Sequence, residues 1–176
     1  NFLSAAPDTD LTAAALRNCQ LTVHVATKPN RSHLIHGQEA LILPCLGRTE
    51  IDVQQTGKQF ISVENSMGVV HSSQGILNPL SKKLMSESAI IAGLAKIVFK
   101  NKGSNGSDIN WDWLVGDYDR IRNKIEEVIP GFQNYNERVR NKAGFDLPNG
   151  PRVRKFTNAG GKARFTVNPI QEFKLK

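Results

Sequence analysis

The polar loop formed by residues 27–33 is the stretch of this sequence whose residue types are best suited to ligand binding. It contains hydroxyl, ammonium, amide, guanidinium and imidazole groups in close succession. Groups of these kinds donate hydrogen bonds to a phosphate group or to the edge of a guanine base. The loop is therefore a candidate site for a phosphate-bearing ligand, and the alternative is a solvated loop that contains an ion pair.

Charged residues also follow the apolar run 40–43, which is long enough for a short buried strand. Pro44 ends this run because proline has no N–H to donate to a sheet, and Gly47 then lets the chain turn. Arg48 and Glu50 come next. Ligands of open α/β sheets bind outside the carboxyl ends of the strands, so this turn is the second candidate binding segment.

Three carboxylates near predicted strand ends, Glu50, Asp52 and Glu64, are candidates for acid–base chemistry if burial raises the pKa of one of them. Nothing in the sequence brings them together, and we expect Glu50 to form a structural ion pair with Arg48 or Arg31. The cysteines and histidines have no spacing typical of a zinc, iron–sulfur or nucleophile motif. We therefore predict no catalytic residue and no metal ligand in this chain.

The histidines and cysteines are instead predicted to have structural roles. His24 alternates with two valines, so we expect it to pack on one face of a strand, and the loop histidines to make ordinary hydrogen bonds. Cys45 lies next to an apolar run and is expected to be a small buried hydrophobe. Low cysteine usage favours a reducing, cytoplasmic setting, and no apolar run is long enough to cross a bilayer.

The framework predicted for the two polar segments is a parallel α/β unit. Thr9 or Asp10 would cap a helix at about 10–18, where alanines favour helix formation. β-branched residues predict a strand at Leu21–Ala26, and the apolar residues 41–43 predict the next strand. Strand, loop and strand after a helix are typical of a parallel sheet, so we predict part of a Rossmann-like sheet with both polar segments on one side.

Short hairpins and further helices are predicted downstream. Residues 59–64 and 68–71 would pair as a hairpin. Apolar residues at helical spacing predict helices at 89–100 and 117–128, with a short helix at 133–141. The predicted fold class is therefore α/β with some α+β character.

The chain is predicted to divide at the flexible stretch 101–108, which is rich in glycine, serine and asparagine. Residues 1–100 would hold the α/β part, and residues 109–176 a helical segment that ends in a second hairpin and leads toward a further domain. Alternating residues predict the strands of that hairpin at 152–156 and 163–167.

Two neighbouring segments, LILPCLGRTEID and FISVENSMGVVHSSQG, carry a family resemblance. Residues 42–44 correspond to a strand-ending "VLP" triplet, residues 48–50 to a "wgE" segment, and residues 60–70 to a stretch of the type "GTFTNTERRVQ". The similarity extends over most of the chain through NFLSAAPDT, LTVHVATKPNRSH, DYDRIRNKIEEVIPGF and NAGGKARF. Together these segments resemble the formate-dehydrogenase-like alpha subunits of the molybdopterin oxidoreductases.

The resemblance implies an internal part of a large multidomain molybdenum enzyme, with residues 1–100 at the end of the domain that binds bis-molybdopterin guanine dinucleotide. Members of that family oxidise or reduce small molecules by two electrons at molybdenum, and many hold an iron–sulfur cluster, which would lie outside this chain. The partner of this chain would be the rest of the parent polypeptide. An aspartate often stands in the wider family where Ala26 is found here. The residues implied in cofactor binding are Asn1, Thr27, Lys28, Asn30, Arg31, Ser32, Arg48 and Glu50.

The formal net charge of +7 predicts an anionic partner such as phosphate, nucleic acid or an acidic protein surface, unless the basic residues form a solvated face. Two other classes of function stay open. Basic residues at 152–164 with Phe156 and Phe165 could bind nucleic acid, and the apolar residues at 111–114 could form a protein-interaction patch. We also expect a chain trimmed from a longer protein, because residues 1–3 read as the tail of a strand.

Overall fold

The computed structural model describes residues 2–100 and 108–169, which form short helices and small sheets. The helices are α1 (Phe2–Ala5), α2 (Thr9–Arg17), α3 (Glu87–Val98), α4 (Trp111–Gly116), α5 (Tyr118–Val128) and α6 (Tyr135–Val139). The strands are β1 (Leu21–Ala26), β2 (Glu39–Pro44), β3 (Val53–Gln54), β4 (Gly57–Lys58), β5 (Ile61–Glu64), β6 (Val69–Ser73) and β7 (Phe145–Asp146). Short 3-10 helices lie at Arg31–Leu34 and Pro151–Val153. The mixture of helix and strand confirms the predicted α/β class.

Strands β1 and β2 pair in parallel along their full length, which confirms both predicted strands and their orientation. Helix α2 precedes β1, also as predicted. Its N-cap is Asp8, whose carboxylate accepts the Leu11 N–H at 2.9 Å, so the helix begins slightly before the predicted start. Within the described residues this sheet has two strands, and the wider Rossmann-like sheet stays a prediction.

The parallel pair carries apolar side chains that the described residues leave exposed. Leu21, Val23, Leu41 and Ile42 are between 44% and 53% exposed. Parallel sheets normally have both faces covered by other elements, because their strands are apolar on both sides. The β1–β2 pair therefore has faces suited to a further layer of protein.

Strands β5, β6 and β7 form an antiparallel sheet next to the main buried core. The pairing of β5 with β6 confirms the predicted hairpin, and β7 adds a third strand that the sequence pattern does not predict. The core contains Val70, Tyr135, Val139 and Phe145. The ring of Phe145 meets the ring of Tyr135 edge-on, with centroids 5.6 Å apart. Helix α6, close to its predicted position, thus packs against this sheet.

Helices α3 and α5 confirm the two long predicted helices, and each begins at a side-chain cap. Ser86 Oγ accepts the Ala89 N–H at 3.3 Å, and the Asp117 carboxylate accepts the Asp119 N–H at 2.9 Å. These caps satisfy backbone donors that have no partner within the helix. The predicted connection 101–108 falls almost wholly outside the described residues, and the division of the chain at that point stays a prediction.

A buried arginine joins α5 to α6. Arg122 is 3% exposed; its guanidinium pairs with Asp119 and donates to Asn136 Oδ1 at 2.6 Å and to the Phe60 carbonyl at 3.1 Å. Asp119 also pairs with Arg140, at 2.6 Å. Burial raises the pKa of Asp119, but hydrogen bonds and charge from the two arginines outweigh it and hold that pKa below its ordinary value.

Two sequence predictions about the ends of the chain are wrong. Pro151–Val153 is a 3-10 helix, and no strand occurs anywhere in the described residues 151–169, where a second hairpin was expected at 152–156 and 163–167. Phe165 is 90% exposed, so the alternating side chains have no surface to pack on, and a lone two-stranded hairpin is marginal in water. The expected strand tail at residues 1–3 is also wrong, because α1 begins at Phe2.

Candidate functional site

A cavity of about 660 Å³ lies beside β1 and the polar loop that follows it; we call it the β1 cavity. It is lined by residues of β1, the polar loop, α1 and the first turn of α3. Four of the residues implied in cofactor binding line it: Thr27, Lys28, Asn30 and Ser32. The structure therefore brings half of the implied set together in one concave site at the carboxyl end of a parallel strand.

These four residues divide into two that shape the loop and two that face outward. The side-chain Oδ1 of Asn30 accepts the Ser32 N–H at 3.0 Å and caps the 3-10 helix Arg31–Leu34. Ser32 is 2% exposed, and its hydroxyl oxygen accepts the Leu3 N–H at 3.0 Å, which fixes α1 to the loop. Thr27 and Lys28 are exposed, so their side chains are the ones positioned to meet a ligand from solvent.

Two histidines of the β1 cavity have buried Nε2 atoms with no hydrogen-bond partner among residues 2–100 and 108–169. These are His24, on β1, and His33, in the 3-10 helix, and their ring centroids are 5.0 Å apart. Leaving a buried polar group unpaired costs about 1–3 kcal/mol, so each such group needs an explanation. The sequence pattern predicts ordinary packing and hydrogen bonding for both rings and does not predict unpaired nitrogens. The available signal was alternation, which places His24 on the same face of β1 as Ala26.

The hydrogen bonds of His33 identify which ring nitrogen carries the proton. Its Nδ1 lies 2.7 Å from the Asn30 backbone nitrogen and 3.1 Å from the Asn30 carbonyl oxygen. A backbone N–H can only donate, so at the shorter contact Nδ1 must accept. The neutral ring then holds its proton on Nε2, and this buried, unpaired atom is a hydrogen-bond donor.

His24 is kept neutral by its surroundings. Burial lowers its pKa below the ordinary value, and the nearby His33 and His36 lower it further. A neutral imidazole carries its proton on either nitrogen, so His24 can present a donor at Nε2. The β1 cavity is therefore lined by two neighbouring imidazoles whose Nε2 atoms are enclosed by protein.

Arg48 and Glu50 line a second, smaller cavity of about 140 Å³. Glu87 lines both cavities, so the two are neighbours, but neither Arg48 nor Glu50 lines the β1 cavity. Arg31 begins the 3-10 helix and is exposed, and Asn1 lies outside the described residues. Of the single site expected from the sequence, four residues thus line the β1 cavity and two line the adjoining cavity.

Glu50 holds the turn after β2 rather than pairing with an arginine. Its carboxylate accepts the Gly47 N–H at 2.6 Å and the Leu80 N–H at 3.2 Å. The predicted ion pair with Arg48 or Arg31 is wrong, because no ion pair in the described parts of the chain includes Glu50. Fixed backbone donors satisfy the carboxylate without ordering a long arginine side chain.

A tyrosine in the second cavity links three segments of the fold. The Tyr118 hydroxyl bonds to Ser86 Oγ at 2.6 Å and to the Asp52 carboxylate, and the Tyr118 N–H donates to Gln59 Oε1 at 2.9 Å. Burial, and next its hydrogen bond to Asp52, raise the pKa of Tyr118 to about 12. The phenol therefore stays protonated at neutral pH and acts as a structural donor.

The part of the chain that the structure describes has neither a candidate metal centre nor a candidate membrane span. No group of three or more His, Cys, Asp or Glu side chains there is arranged to hold a metal ion, and both cysteines are free thiols. None of the helices found there has the length and apolar character required to traverse a bilayer.

Comparison with known proteins finds similar sequences among longer proteins. The chain is 51% identical over 172 residues to proteins named "uncharacterized oxidoreductase" in Mycobacterium bovis and Mycobacterium tuberculosis, which covers 97% of this chain and 22% of theirs. It is 46% identical over 168 residues to protein YdeP of Escherichia coli, again over 22% of that protein. The chain thus spans about a fifth of the length of these relatives. No family model and no solved structure matches it.

Proposed function

We propose that this chain is part of a molybdenum-dependent oxidoreductase similar to formate dehydrogenase, and that the β1 cavity contributes to binding its molybdopterin guanine dinucleotide. The name oxidoreductase, carried by relatives 51% identical to this chain, supports the reaction class. The sequence resemblance supports the cofactor. The observation that carries the proposal is the gathering of Thr27, Lys28, Asn30 and Ser32 in one cavity beside a parallel strand pair.

The donors of the β1 cavity fit a phosphate-bearing group. Lys28 supplies a positive charge and Thr27 a hydroxyl. These are donors that phosphate oxygens accept from. The cavity, about 660 Å³, is within the ~300–1,000 Å³ of small-molecule sites. Glu87 also lines the cavity, and its carboxylate disfavours an anion placed next to it.

The residues of this chain would bind and orient the cofactor, while the cofactor, when bound, supplies two-electron redox chemistry at molybdenum. Lys28 would neutralise phosphate charge, and Asn30 and Ser32 keep the loop in shape. Glu50 holds the neighbouring turn through backbone N–H groups. The exposed apolar faces of β1 and β2 would pack against the rest of the parent polypeptide.

The test is the cofactor content of the full-length protein that contains this chain. Molybdenum is measured by mass spectrometry of the metal, and guanine nucleotide after release in acid. Lys28→Ala should weaken cofactor binding about tenfold or more, because a charge-assisted hydrogen bond contributes about 1.5–3 kcal/mol. Lys142→Ala, at an exposed lysine of the loop after α6, is the matched control and should change nothing.

Two results would count against the proposal. Full-length wild-type protein that contains neither molybdenum nor pterin contradicts the assigned cofactor. Equal cofactor retention by Lys28→Ala and Lys142→Ala contradicts the assignment of the β1 cavity to it.

A further inference from the structure

We infer that the β1 cavity selects a guanine base: the ring of Phe2 stacks on the base, the carboxylate of Glu87 accepts its N1–H and N2–H groups, and Lys28 binds the phosphate end of the nucleotide. The inference rests on the proposed function in that the base would be that of the same dinucleotide, but it requires only a guanine nucleotide and no molybdenum. It assigns binding roles to two residues, Phe2 and Glu87, that the sequence motifs leave without one.

The first step is the state of the Glu87 carboxylate. Glu87 is exposed, lies in the first turn of α3, and is the one acidic residue among the described residues that line the β1 cavity. Its side chain has no hydrogen bond or ion pair within residues 2–100 and 108–169. Burial, and next the charge of Glu87, raise the pKa of the Cys45 thiol, which directly follows β2. The carboxylate therefore lies near the carboxyl end of the parallel strands and has oxygens available to accept.

The second step is the edge of the base that such a carboxylate accepts. An ionised carboxylate has two acceptor oxygens and no donor. Guanine presents two adjacent donors, N1–H and N2–H, on one edge, whereas adenine has an acceptor nitrogen beside its amino group. Bidentate, charge-assisted pairing is therefore available to guanine and not to adenine. The same negative charge disfavours a phosphate next to Glu87, so the carboxylate favours the base over the phosphate end.

The third step is the surface available to the flat face of the base. The side chain of Phe2 lines the β1 cavity and is 65% exposed. Helix α1, which contains Phe2, is attached to the polar loop by the hydrogen bond from the Leu3 N–H to Ser32 Oγ at 3.0 Å. Bases stack on aromatic rings whatever groups their edges present. Phe2 thus adds affinity for any purine, and Glu87 adds the selectivity for guanine.

The fourth step is the phosphate end of the nucleotide. Lys28 is exposed and lines the same cavity, next to the Thr27 hydroxyl in the chain. An ammonium group binds phosphate oxygens through charge-assisted hydrogen bonds. The volume of about 660 Å³ is within the ~300–1,000 Å³ of small-molecule sites. One cavity therefore has a partner for the face, the edge and the phosphates of a guanine nucleotide.

The test uses the full-length protein, produced without cofactor in a host that cannot make the pterin, and isothermal titration with guanosine, inosine and adenosine diphosphates. Inosine diphosphate keeps N1–H and lacks the 2-amino group. We expect guanosine diphosphate to bind about tenfold or more tightly than adenosine diphosphate, because each hydrogen bond to the carboxylate is charge-assisted. The affinity for inosine diphosphate should lie between the two.

Two variants separate recognition of the edge from stacking. Glu87→Gln should remove most of the preference for guanosine over adenosine diphosphate. Phe2→Ala should weaken the binding of both nucleotides about fivefold or more and leave the preference unchanged. Glu64→Gln, at an exposed glutamate of β5 that lines neither cavity, is the matched control and should bind both nucleotides as the wild type does. Because the readout for Glu87 is a ratio of two affinities, a general loss of stability does not imitate the expected result.

The wild-type titrations test the inference even if a variant does not fold. Equal binding of guanosine and adenosine diphosphates by the wild type overturns the inference, as does the absence of any binding of guanosine diphosphate. A preference for guanosine diphosphate that Glu87→Gln retains as fully as Glu64→Gln overturns the role of Glu87. Unchanged affinity for both nucleotides in folded Phe2→Ala overturns the stacking contact.

The outcomes separate this inference from the proposed function. Wild-type protein that contains molybdenum and pterin but shows no Glu87-dependent preference for guanosine diphosphate refutes the inference alone. A Glu87-dependent preference for guanosine diphosphate in a full-length protein that never contains molybdenum refutes the proposed function alone.

Discussion

Ser32→Ala tests whether one buried hydrogen bond holds α1 on the polar loop. Ser32 is 2% exposed and its hydroxyl oxygen accepts the N–H of Leu3, which is itself 3% exposed, at 3.0 Å. Alanine removes the acceptor and leaves the Leu3 N–H buried. Loss of a hydrogen bond that leaves a buried donor without a partner costs about 1–3 kcal/mol. That free energy corresponds to an increase of about five- to 150-fold in the local opening of α1.

The assay is amide hydrogen exchange, followed residue by residue. Exchange at Leu3 should accelerate within that range, while the amide of Val70, in the buried core on β6, should exchange as in the wild type. Ser66→Ala, at an exposed serine between β5 and β6, is the matched control and should alter neither. Because Phe2 of α1 lines the β1 cavity, cofactor retention by the full-length protein should fall together with the protection of α1.

Two results would refute this reasoning. Unchanged exchange at Leu3 in Ser32→Ala shows that the hydrogen bond does not hold α1 in place. Equal acceleration at Leu3 and Val70 shows that the serine stabilises the whole fold and has no local effect on the cavity.

Two further predictions concern the second cavity and the α5–α6 contact. In a urea titration, Tyr118→Phe should lower the free energy of unfolding by about 1.5–3 kcal/mol, because it removes a hydrogen bond to the carboxylate of Asp52. Tyr135→Phe removes a neutral hydrogen bond, to the Ser62 hydroxyl, and should lower the free energy of unfolding by only about 0.5–1.5 kcal/mol. Stability that Asp119 gains from Arg122 and Arg140 should be complete above about pH 4 and be lost as the pH falls through the lowered pKa of the folded state. Unfolding measured at several pH values should show this acid-dependent loss in the wild type and not in Asp119→Asn; parallel curves would contradict the assignment.

The local elements could be predicted from the sequence because their causes are local. β-branched residues determine β1, whose observed bounds, Leu21–Ala26, are those predicted. Ser86 and Asp117 begin α3 and α5 through side chains that bond to N–H groups within the next turn. Such interactions span only a few residues, so the order of residues contains the information needed.

The pairing of distant segments was predictable only where it buries apolar side chains in a core. The hairpin of β5 and β6 forms because Val70 on β6 packs into the core with Phe145. The alternation at 152–156 and 163–167 is a similar pattern, but Phe165 and Val167 remain exposed and no strand forms in that described segment. Alternation alone does not say whether a surface is present to cover the apolar side.

The sequence by itself determined which residues follow the carboxyl ends of the parallel strands, and therefore that Thr27 and Lys28 would lie at that end of the sheet. Only the tertiary structure decided that Arg48 lies in a neighbouring cavity, and that His24 and His33, which line the first, each have a buried Nε2 with no partner among the described residues. The physical reason is that a side chain's hydrogen-bond partners come from segments far apart in the chain. Whether a buried nitrogen is satisfied therefore depends on packing and cannot be read from residue order.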